Sequence, residues 1–256
     1  MLKLYSKLLS QSFQELLMYR LTGVTSVVFG LLFFSIELLT GWLLFSYTDS
    51  IIGWSRTDYF LLIITGTLIT NGYQMFFSVA HENLAFDILE GNLDYIFVRP
   101  VNSFWFYSFF RFDFASLINF IVVLSGLLLM FQQLTVTWGA MLLYFIWLLG
   151  SCWFLFLMNH LVVMVTFWYE RSTKILGLPE YVTDMTTRPK VIFPQGLAFI
   201  LTWLSPFLIA INGPVEVLKG QFSYWQLGFF ACYLLILTRM CFIIWKKGLK
   251  KYQSTN

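Results

Sequence analysis

The stretch LTGVTSVVFGLLFFSIELLTGWLLFSY, residues 21 to 47, carries a single acidic side chain and no basic one. A helix rising 1.5 Å per residue needs about 20 residues to cross a hydrocarbon core of about 30 Å, and this run exceeds that length. Five further runs of the same character lie at 59–80, 104–131, 139–168, 191–211 and 223–245. The runs are continuous, whereas a barrel needs alternating segments of about 10 residues, so helices must satisfy the backbone in lipid. The expected fold is therefore all-α integral membrane, a single domain over 1–256 with six transmembrane helices.

Composition agrees with that reading. The 256 residues are 59% hydrophobic, 20% aromatic and 11% charged, whereas soluble domains are about a quarter charged. No stretch is left over for a soluble domain. With both termini cytoplasmic, only Arg56 and Lys219 of the 16 lysines and arginines fall outside, a strong positive-inside bias. The net charge of +3 then reflects orientation and requires no nucleic-acid partner. Tyr47, Trp54, Tyr59, Trp138, Tyr224 and Trp225 fall at the outer interface, and Trp105, Trp168, Tyr169 and Trp245 at the inner one.

The side chains that carry enzyme chemistry are sparse. Cys152, Cys232 and Cys241 lie in the apolar runs without CxxC spacing and read as packing residues. His160 beside Asn159 reads as a hydrogen-bonded packing residue. There is no GxSxG, HExxH or paired-carboxylate motif, so no catalytic, cofactor-binding or metal residue is expected.

Other polar residues have spacing that carries information. Thr22, Ser26 and Gly30 recur every four residues, a row of small side chains that lets another helix pack closely. Glu37 follows on that face; ionised in lipid it would cost about 3 kcal/mol, so it reads either as a substrate or gating contact or as a satisfied structural carboxyl. Thr67, Thr70, Asn71, Gln74 and Ser78 form one stripe on the second run, either lining a translocation path or bonding between helices. Residues 1–20 place Leu2, Tyr5, Leu9, Phe13 and Leu16 on one face and Lys3, Lys7 and Gln14 on another, an interfacial amphipathic helix. Pro194, Pro206 and Pro214 predict a bent fifth span followed by a re-entrant or interfacial turn at 214–222. The charged segment 169–190 reads as a solvated loop or a second docking surface.

The polar island HENLAFDILEGNLDYIFVRPVN, residues 81–102, separates the second and third runs. A short helix is expected over Glu82 to Glu90 with Asn83, Asp87 and Glu90 on one face, ended by Gly91 in the left-handed geometry glycine tolerates. Pro100 holds Arg99 extended, and Asn102 or Ser103 can cap the next helix. The result is a compact lever, in which Asp94 and Arg99 have the charge and spacing to pair or to remain solvated.

The string EGNLDYIFVRPVN resembles the pattern small-x-leucine-aspartate, apolar, arginine-proline of the ABC-2 family of transporter permeases, in particular its six-span, viologen-exporter-type group. TTRPKVIFPQGLAFILTWLSPFLIAINGPVEVLKG is similar to the same group's C-terminal half. The resemblance implies a permease with a cytoplasmic coupling helix at 81–102, in which Asp87, Glu90, Gly91, Leu93, Asp94, Arg99 and Pro100 engage an ATP-binding subunit. It also implies two such ATPase subunits, a second permease of the same or a different chain, a bacterial cell membrane, and export of a small or amphipathic substrate. Glu37, Thr67, Asn71 and Gln74 are the candidate path or permease-interface residues. No GxxxxGK[ST] phosphate loop occurs in the chain, so ATP and Mg are expected in the partner. The alternative is a non-transporting anchor or sensor that recruits a cytoplasmic partner through 81–102.

Overall fold

The computed structural model describes residues 2–94, 102–109, 111–132 and 134–252. Its helices are α1 (Leu2–Met18), α2 (Arg20–Leu44), α3 (Arg56–Tyr73), α4 (Val79–Leu89), α5 (Ser103–Ser108), α6 (Phe114–Phe131), α7 (Trp138–Met164), α8 (Leu178–Thr186), α9 (Gln195–Phe199), α10 (Phe207–Leu218) and α11 (Tyr224–Lys251). A two-residue hairpin, β1 (Ser50–Ile51) with β2 (Trp54–Ser55), precedes α3. Five helical stretches are long and apolar enough to cross a membrane, or six if the bent pair containing α9 and α10 counts as one span. The chain is an all-α integral membrane protein that crosses the bilayer several times.

A capping box starts the most buried of these stretches. Ser55 Oγ accepts from the Asp58 N–H (3.2 Å) and Asp58 Oδ2 accepts from the Ser55 N–H (3.0 Å). From there α3 runs through a π-helical turn, Gln74–Ser78, straight into α4, one helical rod from Arg56 to Leu89. It packs against α6, α7 and α10, while α2 lies at the periphery against α6 and α3. α10 is buried from Phe207 to Val217, wedged between α7 and α3.

Four features differ from the sequence reading. The second span does not stop at residue 80: His81, Leu84, Ala85 and Ile88 are buried and continue the helix's inner face, so the polar island begins as the end of a membrane helix. The third span, expected over 104–131, is two helices, one ending at Ser108 and the next beginning at Phe114, because Asn102 caps α5 and Asp113 caps a separate α6. The bond that bridges the break is the Asp113 N–H to the Met75 carbonyl (2.9 Å), within the π-helical turn. The fifth span, expected bent over 191–211, does bend, by 86° at Ser205 and Pro206, but it runs on past residue 211.

Pro214 does not end that span. It sits inside α10, where the missing N–H leaves the Ala210 carbonyl without its helical partner. Ser151 Oγ of α7 donates to that carbonyl instead (2.7 Å), and the helix continues to Leu218, so the turn expected at 214–222 begins only at Lys219. The fourth difference is segment 169–190, which is not a solvated loop: α8 packs on α7, α10 and α3 with Thr183 and Thr186 buried.

Helix α10 lies so close to α7 that a Cβ on Gly213 would stand 2.3 Å from the Trp147 ring, whereas nothing lies within 4 Å of one on Gly126. Gly213→Ala is expected to lower the thermal unfolding midpoint in detergent, at an overpacking cost of about 1–3 kcal/mol. Gly126→Ala should leave it unchanged or raise it, through helix propensity worth about 1 kcal/mol.

Candidate functional site

The end of the α3–α4 rod is built as a firm terminus. Gly91 takes φ +71°, and the Asn92 N–H donates to the Asp87 carbonyl (2.9 Å) while the Glu90 N–H donates to that of Phe86 (2.9 Å). This is the six-to-one bonding of a glycine-terminated helix. Asp87 points inward, where Tyr107 Oη of α5 donates to its Oδ2 (3.0 Å). Leu93 is buried, and its N–H donates to Tyr252 Oη at the end of α11 (3.0 Å). Glu90 accepts from Asn92 Nδ2 (3.0 Å), Asp94 closes the described stretch, and Arg99 and Pro100 lie outside the described residues.

What the rod's tip presents outward is Glu82, Phe86 and Glu90, three exposed residues at i, i+4 and i+8. That stripe shares Glu90 with the face expected from sequence but replaces Asn83 and Asp87. Phe86, 57% exposed, is the residue sequence reasoning missed. Its spacing from Glu82 and Glu90 was the available signal.

The inner side of the same segment is tied to the rest of the bundle by a buried polar chain. Tyr73 Oη lies 2.9 Å from His81 Nδ1, and His81 Nε2 lies 3.1 Å from His160 Nδ1 on α7. Phe156 stacks on both imidazoles, and Trp245 of α11 packs against His160. Trp245 Nε1 in turn donates to Ser103 Oγ at the start of α5 (3.2 Å). The segment 82–94 is thus bonded to α7 through His81 and to the end of α11 through Leu93.

Farther along the rod, the sequence-predicted stripe meets a seam of charge. Gln74 Nε2 donates to Glu180 Oε2 on α8 (2.9 Å), and burial raises that carboxyl to about 7, opposed by the Gln74 bond. Thr67 Oγ1 donates back to the Ile63 carbonyl (2.8 Å), Asn71 is buried, and Thr70 Oγ1 has no partner among the described residues. Glu37 faces Arg188 Nη1 at 3.7 Å, with about a third of each side chain exposed. Lys190 pairs with Glu216 (2.7 Å), and Lys219 with Asp58 (3.0 Å). Asn212 holds the intervening backbone: its Oδ1 accepts from the Lys190 N–H (3.0 Å) and its Nδ2 donates to the carbonyls of Arg188 (3.3 Å) and Thr186 (3.4 Å).

The small-residue row turns a different way. Gly30 lies against Asn119 of α6, and Thr22 and Ser26 line a cavity of about 190 Å³ beside α1 and the break in the third span. The row and Glu37 therefore meet different neighbours.

Comparison with known proteins gives one match. The profile of the ABC-2 family transporter proteins matches residues 31–256. No curated protein and no solved structure matches the chain. A multi-span helical bundle matched over most of its length by that profile is a member of the ABC-2 transporter family, a permease component of an ABC transporter.

Proposed function

We propose that this chain is one permease of an exporter whose work is done by two separate ATPase subunits, docked on the tip of the α3–α4 rod. The carrying observation is the exposed acidic–aromatic–acidic stripe Glu82, Phe86 and Glu90 at the end of a helix that continues unbroken into the bundle. ATP and Mg bind in those partners. Closing of the ATPases pushes the tip, and the His81–His160 tie and the Leu93–Tyr252 bond pass the push to α7 and α11. In this reading the tip and both termini face the cytoplasm of a bacterial cell.

Glu37, Thr67 and Gln74, with Arg188 and Glu180 opposite and Asn71 buried on the same stripe, form the side of the bundle where a second permease, the same chain or another, completes the route. Ionic groups a third exposed, as Glu37 and Arg188 are, are costly against acyl chains and call for protein or water cover. The gap between the two permeases supplies both, and a small or amphipathic substrate passes along it.

Co-purification with the ATPase partner tests the docking. Phe86→Ala with Glu90→Lys should weaken the complex by about 2 kcal/mol, roughly 30-fold, as for a central interface aromatic. Undiminished association would remove the tip as the docking site. Asp87→Ala should act differently, leaving assembly largely intact while reducing transport per ATP hydrolysed, because Asp87 holds α4 to Tyr107 rather than facing outward. In reconstituted vesicles, Glu37→Gln is expected to change substrate transport while partner binding stays at the wild-type level.

A further inference from the structure

Helices α6 and α7 both lean on α3 and touch near one end, where Phe131 packs on Tyr144 and Phe145. Toward the other end a cavity of about 230 Å³ separates Phe120 of α6 from Leu149 and Trp153 of α7. Its floor is Gly72, where a Cβ would stand 2.9 Å from Cys152 Sγ. A second cavity of about 320 Å³ lies beneath helix α1, walled by Tyr5, Leu8 and Leu9. The two share Phe76 and Phe109 and so adjoin at the break in the third span. Leu149 is 68% exposed at one rim and Phe76 40% exposed where they join, so the space opens sideways from the bundle.

The walls are apolar apart from the Tyr5 phenol and one charged group. Arg111 pairs with Glu15 of α1 and keeps 31% of its side chain exposed at the α1 end. Trp105, 38% exposed, stacks on Trp153 in the wall of the first cavity, an indole placed as at a membrane interface. A water-soluble polar ligand finds few partners along such walls, whereas the medium around these helix faces is acyl chain.

We propose that the joined cavities bind one bilayer phospholipid, an acyl chain lying between α6, α7 and the π-helical turn, and the phosphate at Arg111. The apolar length matches an acyl chain, and the Arg111 guanidinium at its end, shared with Glu15, is the kind of group that holds a phosphate. Bound there, the lipid wedges the joint where the Asp113 N–H meets the Met75 carbonyl and the Phe112 N–H meets Ser12 Oγ. It would thereby hold α1 to the third span.

Native mass spectrometry of the intact protein, released from detergent micelles, reads this directly. The wild type should retain one phospholipid per chain. Arg111→Gln, which keeps the shape, should reduce retention by about tenfold, the loss of a charge-assisted hydrogen bond. Leu8→Trp, which fills the lower cavity, should lower it comparably, with far-UV circular dichroism confirming the fold. Retention of a free fatty acid alone, a partner polypeptide on this face, or equal phospholipid occupancy in wild type and variants would overturn the proposal. If neither variant folds, delipidated wild type decides it: added phosphatidylglycerol should raise the unfolding temperature saturably at one lipid per chain, and no shift refutes the site.

Discussion

Hydrocarbon offers no hydrogen-bond partner, so each backbone group released from a helix in this chain must find one inside the protein. That demand organises the structure. The carbonyl that Pro214 leaves without its helical partner is taken by Ser151, and Asn212 satisfies the turn between α8 and α9. The break in the third span is closed by Met75 and Ser12. Irregular backbone is thereby kept in protein-covered places, and those places are where separate helices are fastened to one another.

The same demand explains why the second span is a rod. Its π-helical turn, Gln74–Ser78, widens the helix and sets the Met75 carbonyl toward the Asp113 N–H without interrupting the run from Arg56 to Leu89. One end of the rod faces the hairpin and the Lys219–Asp58 pair, and the other exposes Phe86 between two carboxylates. Between them lie the stripe that meets Glu180 and the tyrosine–histidine chain that meets α7. The tip and the polar seam thus lie on one helix with no loop between them.

Membrane helices were legible because a long apolar run has a single stable form in lipid, and the Gly91 terminus and the Asn102 cap were legible because glycine's missing Cβ and the asparagine amide act on the local backbone. The family was legible from the string around Gly91. What escaped was set by distant partners. The helix crosses residue 80 because His81 is received by His160 and Phe156, and nothing adjacent in sequence announces them. The end of α5 at Ser108 and the new start at Phe114 hide in the aromatic run SFFRFDF, where only Arg111 and Asp113 hint at them. Segment 178–186 read as a loop because its buried face is Pro179, Thr183 and Thr186, polar enough to pass for a solvated surface.

The central claim is that the helix from Arg56 to Leu89 carries force as one rigid body. Spin labels at Thr57 and Asn83, read by pulsed dipolar spectroscopy in the complex with its ATPase, would stand about 39 Å apart along an unbroken helix. The account predicts that this distance and its narrow distribution stay the same with and without nucleotide. A shortened or broadened distribution on nucleotide binding would place a hinge in the π-helical turn and contradict it.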